Sequence, residues 1–250
     1  MGKNNASRSI AGLRSRDRRR SLWVQVIVGA ALVALIVAIG VSVAVRKSDR
    51  DAVNATQAAA AAGPSSMHDG YLRIGDPNAK VVVSVTEDFA CPVCKAFETT
   101  SGRALNDLAT RKGVAVEYRT IALIDRNFRD STDYSARAAN ASALIADNDL
   151  PKWTAWHATM FEHQPGPEGG PGLSDEELVA TAQQAGISSP QVAEGIKSFK
   201  YKGFVKATTD TALAHGGATP TITVNGEQVQ PRPQQVVTPD QLNAAVDRAQ

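Results

Sequence analysis

The stretch VVVSVTEDFACPVCKAFE, residues 81–98, contains Cys91 and Cys94, the only two cysteines in a chain of 250 residues. Its first half is a β-branched run, which together with Ala79 and Lys80 reads as a buried strand over 79–85 after the turn Gly75-Asp76-Pro77-Asn78. A helix is expected to start at the cysteines. Cys91 suits the N-cap and Pro92 the first helical position, where no N–H is needed, and the helical pattern runs to Lys112 before Gly113 ends it. A thiol reacts as its thiolate, which a helix N-terminus stabilises through unpaired N–H groups and the positive end of its dipole. Cys91 is therefore expected to be the exposed, acidic thiol. Cys94, one turn inward, is expected to be buried and to resolve a mixed disulfide formed at Cys91. A metal half-site and a static staple are the competing readings. Zinc needs four ligands, and His68, His157, His163 and His215 lack finger spacing after the pair, so no metal is expected. A disulfide closing so small a loop would add little chain-entropy stabilisation.

Outward from the pair, residues 114–123 read as a second strand, and strand, helix, strand implies parallel pairing through a right-handed crossover. From about 131 to 215 the pattern turns helical. Trp153 and Trp156 read as core packing, Ser174 with Glu177 as a capping box, and Ser189-Pro190 as the opening of one stretch that ends at Gly216-Gly217. The segment ATPTITVNGEQV, 218–229, then reads as a hairpin turning at Asn225-Gly226, with Pro220 at the start of its first strand. Thr238 and Pro239 open a final helix. These elements predict an α/β fold, a mixed sheet covered by helices with a helical subdomain inserted at about 131–215. The four histidines read as surface or core-edge residues, and Lys95 as an exposed first-turn lysine able to favour the thiolate.

Toward the N-terminus, Leu22–Val45 carries no charge, and its 24 residues reach ~36 Å as a helix, enough to cross a ~30 Å hydrocarbon layer. A cleavable signal peptide has a shorter apolar region of ~7–15 residues, so an uncleaved anchor is expected at 22–45. Residues 1–21 hold Lys3, Arg8, Arg14, Arg16, Arg18, Arg19 and Arg20 against Asp17, a basic tail that would stay cytoplasmic and send the rest of the chain outside. The overall charge of +2 is positive only through this tail, so no nucleic-acid partner is expected. Residues 46–70 read as an alanine-rich linker and 71–250 as the folded domain. An oxidising compartment favours a redox couple over a static pair.

The stretches GDPNAKVVVSVTEDFACPVCKAFE (75–98) and GGATPTITVNG (216–226), with a helical block between them, resemble the DsbA-like branch of the thioredoxin-fold thiol:disulfide oxidoreductases, over about residues 70–250. The resemblance implies a thioredoxin fold with catalytic Cys91 and Cys94 and no cofactor. It implies a cis Pro220 beside the pair, and a client surface formed by Pro92, Val93, Thr219 and Pro220. It implies oxidation of reduced exported proteins, with reoxidation by a quinone-linked membrane enzyme of the DsbB or vitamin K epoxide reductase-like kind. Two positions depart from the family. Pro92-Val93 lacks the histidine that strongly oxidising members often carry between the cysteines, and Val85 stands where many thioredoxin-fold proteins place a buried carboxylate. Glu87 and Asp88 are the nearest carboxylates, either proton-transfer groups for Cys94 or solvated residues at a strand end. A reductase or isomerase, and a thioredoxin-fold binding module with a static bridge, remain the alternative functions.

Overall fold

A computed structural model of the chain describes residues 62–126, 132–165 and 170–250. The basic tail, the expected anchor at 22–45 and the linker as far as residue 61 lie outside the described residues. Among the described residues no helix is long and apolar enough to cross a membrane.

Six strands form one sheet: β1 (Met67–His68), β2 (Tyr71–Gly75), β3 (Val81–Glu87), β4 (Val114–Thr120), β5 (Thr221–Val224) and β6 (Glu227–Gln228). They lie in the order β1-β2-β4-β3-β5-β6, with β3 and β4 parallel and every other pair antiparallel. Helix α1 (Pro92–Ala109) makes the crossover between the two parallel strands. Alternation decides which face it covers. Val81, Val83 and Val85 are buried on the same face as Val114, Val116 and Tyr118, whereas Ser84 and Glu117 point the other way and remain partly exposed. Against the buried face pack Phe97, Leu105 and Leu108 of α1, and Leu242 and Val246 of α7 (Pro239–Ala249).

The insertion holds α2 (Tyr134–Asn148), α3 (Leu150–Glu162), α4 (Asp175–Gln184), α5 (Pro190–Lys197) and α6 (Lys202–Ala214). Ser174 caps α4 through a complete capping box with Glu177. The stretch expected to be one helix from Ser189 is two. Phe199 takes φ +52° between them, and the buried Asn140 accepts the Tyr201 N–H at 2.8 Å while donating to Gly195 O at 3.2 Å. A buried side chain from α2 thus makes this break, and periodicity along 189–216 carries no trace of it.

Two expectations at the start of the domain are corrected. Residues 62–70, assigned to the linker, belong to the folded body. Pro64 is buried, Ser65 donates to Asp147 from both its N–H (3.1 Å) and its hydroxyl (3.0 Å), and β1 pairs with β2. Asp69 and Gly70, with φ +52° and +81°, form the two-residue turn between those strands. Helix α1 also ends three residues before Lys112. The chain turns there so that Gly113, at φ +77°, can donate its N–H to Asp76 at 2.9 Å and lead into β4.

Candidate active site

Both cysteines lie where strand β3 gives way to α1. The turn that joins them is closed twice, by Cys91 N–H to Asp88 O at 3.0 Å and by Ala90 N–H to the Asp88 carboxylate at 2.8 Å. Cys91 is the N-cap, with extended backbone (φ −80°, ψ 117°), and Pro92 follows at the first helical position. Both cysteines are in the dithiol form. Across the pair the chain returns at Thr219-Pro220, whose peptide bond is cis, and Cys91 Sγ lies 3.4 Å from the Thr219 carbonyl oxygen. Residues 128 positions apart thus meet at one thiol.

The two thiols differ strongly in acidity. Cys91 is lowered to about 5, chiefly by a hydrogen bond from the Cys94 thiol, with further help from the Thr219 hydroxyl and the backbone N–H groups of Cys94 and Val93; burial works against this. Cys94 is pushed well above the usual thiol range by burial and by the neighbouring Cys91 thiolate. Pro92 and Val93 are exposed beside the pair, Val93 at 51%. Cys91 itself is only 5% exposed, against 1% for Cys94. The expectation of an exposed nucleophile is therefore corrected. Its low pKa arises from donors converging on one sulfur, and solvent contributes little.

Glu87 and Asp88 are buried, at 1% and 0% exposure, which rules out the reading of solvated residues at a strand end. Asp88 accepts from the Ser135 hydroxyl at 2.6 Å and from the Ile124 N–H at 2.8 Å, tying the turn to α2 and to the loop after β4. Burial raises its carboxyl to about 6, while these donors oppose the rise. Glu87 meets His157 of α3, Oε1 to Nε2 at 2.6 Å. His157 is 1% exposed, so its reading as a surface or core-edge residue is corrected. Trp153 and Trp156 are fully buried packing residues. Lys95 reaches the Glu162 carbonyl at 3.4 Å.

One site residue escaped the sequence reading altogether. Gln164, just beyond α3 and 8% exposed, donates from Nε2 to Phe89 O at 2.8 Å and to Cys91 O at 3.0 Å. The insertion thereby holds both ends of the turn that presents Cys91. Cys91 O also accepts the Lys95 N–H at 3.2 Å, so in Gln164→Leu the carbonyl left without a donor is that of Phe89. A buried acceptor without a donor costs about 1–3 kcal/mol, and urea denaturation of the oxidised variant should show a loss in that range.

Comparison with known proteins agrees with this geometry. The family model described as Thioredoxin matches residues 67–248. No match was found among curated proteins. Oxidised DsbA from Mycobacterium tuberculosis is similar at 29% identity and a TM-score of 0.61, covering 72% of this chain and 92% of its own. The reduced form of DsbG, a disulfide bond oxidoreductase of the same organism, is similar at 28% identity and a TM-score of 0.63, covering 77% and 91%. MdbA from Actinomyces oris, a thiol-disulfide oxidoreductase, shares the fold at 23% identity and a TM-score of 0.61, covering 75% and 90%. On its matched residues, its CxxC pair at a helix N-terminus and its opposed cis proline, the chain belongs to the thioredoxin family, as a DsbA-like thiol–disulfide oxidoreductase.

Proposed function

We propose that the protein works as an oxidase, passing the Cys91–Cys94 disulfide to reduced proteins outside the cytoplasm. The observation that carries this direction is the low pKa of Cys91 at the N-cap of α1, held down chiefly by the Cys94 thiol and then by the Thr219 hydroxyl and two helix N–H groups. Each of them stabilises the thiolate, which exists only in the reduced protein, so each pulls the couple toward reduction of itself and oxidation of the client. A client thiolate attacks Cys91 Sγ, the Cys91–Cys94 bond breaks, and Cys94 leaves. A second client thiol then displaces Cys91 as a well-stabilised thiolate. Exposed Pro92 and Val93, with Thr219 and Pro220 opposite, form the surface against which an extended client would lie. Glu87 and Asp88 are the carboxylates placed to serve proton transfer at Cys94.

In this reading residues 22–45 anchor the enzyme, residues 1–21 stay in the cytoplasm, and the domain faces exported chains. Each turnover leaves a dithiol, so a quinone-linked membrane oxidase of the DsbB or vitamin K epoxide reductase-like kind reoxidises it. Oxidation of a reduced, unfolded secretory protein by stoichiometric oxidised enzyme is the test. Rapid appearance of client disulfides supports an oxidase. Failure to transfer, together with ready reduction of client disulfides by the dithiol form, would assign the protein to the reductases.

A further inference from the structure

Behind the cysteine pair, three ionisable side chains from three elements meet in a space walled by aromatic rings. Glu87 ends β3, Glu98 lies on α1, and His157 enters from α3. The imidazole sits between the carboxylates, Nε2 at 2.6 Å from Glu87 and Nδ1 at 3.7 Å from Glu98. Trp153 stacks on it at 4.5 Å between ring centroids, with Tyr118 and Phe161 at 5.1 Å and Phe89 at 5.7 Å. Gly102 leaves the room that the Glu98 carboxyl occupies, since a Cβ there would collide with it. Burying charged partners in this way costs several kcal/mol per ion, so a buried pair by itself is poor evidence of a stabilising role.

The position of the cluster relative to Cys94 gives it a use. Cys94 and Glu98 are four residues apart on α1, roughly 5–6 Å between Cβ atoms, and Cys94, on the buried face of that helix, is close enough to Glu87 for the carboxylate charge to raise its thiol pKa. The Asp88 N–H, adjacent to Glu87 in the chain, hydrogen-bonds the Cys94 sulfur. When a client thiolate attacks Cys91 Sγ, the electron pair of the broken S–S bond goes to Cys94 Sγ. That sulfur then carries a charge in a site 1% exposed to water, and it needs a proton.

We propose that His157, held between Glu87 and Glu98, stores this proton, passing it through Glu87 to Cys94 as the disulfide opens and recovering it when Cys94 is next deprotonated for reoxidation. The inference rests on disulfide exchange at Cys91–Cys94. His157 acts through Glu87, so it is a positioning residue. Burial alone would lower the imidazole pKa, but the charge and hydrogen bond of Glu87, with Glu98 beyond, outweigh it and raise the pKa. The cluster thus holds a proton on the imidazole more firmly than burial alone would allow. The other ionisable groups facing it are Cys94 from α1 and Tyr118 from β4, and burial keeps the Tyr118 phenol protonated.

The test is the rate at which reduced glutathione opens the disulfide of the full-length protein, measured by stopped flow from pH 5.5 to 8.5 and divided by the glutathione thiolate fraction. His157→Gln keeps a polar partner for Glu87 but has no transferable proton. It should match the wild type at the acid end, where solvent supplies protons. At pH 8 it should be slower by about a hundredfold, the low end of general-acid contributions. A loss that is equal at every pH, or no loss, would overturn the proposal. Should the variant fail to fold, histidine-labelled wild-type protein decides by NMR. The His157 titration midpoint should differ between the oxidised and reduced forms, and identical midpoints would overturn the relay. A wild-type disulfide that glutathione does not open at all would instead remove the exchange reading itself, and the relay with it.

Discussion

Cys94→Ser, incubated at pH 7 with a protein disulfide, should accumulate a stable mixed disulfide at Cys91, while Cys91→Ser should accumulate almost none at Cys94. The asymmetry follows from where each sulfur lies. In Cys94→Ser the serine hydroxyl can still donate to Cys91, the Thr219 hydroxyl and the helix N–H groups remain, and the thiolate persists with no thiol at hand to resolve the adduct. In Cys91→Ser the surviving thiol is 1% exposed, with its pKa pushed well above 9.0 by burial, so fewer than roughly one molecule in a hundred carries a thiolate at pH 7. Non-reducing electrophoresis of the two variants checks this. Equal adduct yields would mean that the roles of capturing and resolving thiol are wrongly assigned.

The second large effect is the response of the reduced protein to pH. Thiolate absorbance should rise with a midpoint near 5, and alkylation in the acid range should modify Cys91 alone. The Cys91 pKa is about 5 in the folded dithiol form and 9.0 in its unperturbed form. A lowered pKa stabilises the reduced fold fully above the unfolded value, and this contribution is lost as pH falls through the folded value. Between pH 5 and 9 the reduced form should therefore gain stability on the oxidised form as pH rises. At pH 7, two units above the folded midpoint, the gain over the acid limit is on the order of 2 kcal/mol after discounting for solvent screening, or some tens of millivolts in a two-electron couple. Urea denaturation of both redox forms at pH 5 and pH 7 measures it. A reduced form that gained nothing over that interval would contradict the assignment of a low pKa to Cys91.

Features encoded by short local patterns were readable in the sequence. The run at Val81–Val85, the Cys91-Pro92 helix start, the Asn225-Gly226 hairpin and the Ser174–Glu177 box each involve residues within a few positions, and each stands where it was expected. Pro220 was legible through family resemblance, which carried information on a contact that spacing could not supply. The Asp69-Gly70 turn is equally local but carries a weaker signal. Its flanking strands are two and five residues long, with only Leu72 fully buried, so little hydrophobic alternation surrounds it.

What stayed hidden depends on tertiary partners. Glu87 and Asp88 look like a charged strand end until Ser135, Ile124 N–H and His157 arrive from distant parts of the chain. His157 lies on a helix with Trp153, Trp156 and Phe161, where a lone histidine reads as an interruption of an apolar face. Its partner is 70 residues earlier. Gln164 follows a helix and leads into a glycine- and proline-rich loop, a place where glutamine is ordinarily solvated. Only the packing of the insertion on the turn at 88–91 shows what it holds. The missing histidine between the cysteines is an instructive case of the same kind. Its contribution to the thiolate is not needed for a pKa near 5, because the Cys94 thiol, the Thr219 hydroxyl and two backbone N–H groups already lower it.

We propose that this arrangement makes Cys91–Cys94 an oxidising couple. The most direct test is the equilibrium of the couple in glutathione buffers at pH 7, with the fraction reduced read by mass after acid quenching and alkylation. The donors converging on Cys91 predict a midpoint less negative than about −180 mV, on the oxidising side of protein disulfide isomerase. A midpoint near about −270 mV, where thioredoxin lies, would contradict the account and show that the couple is built to reduce.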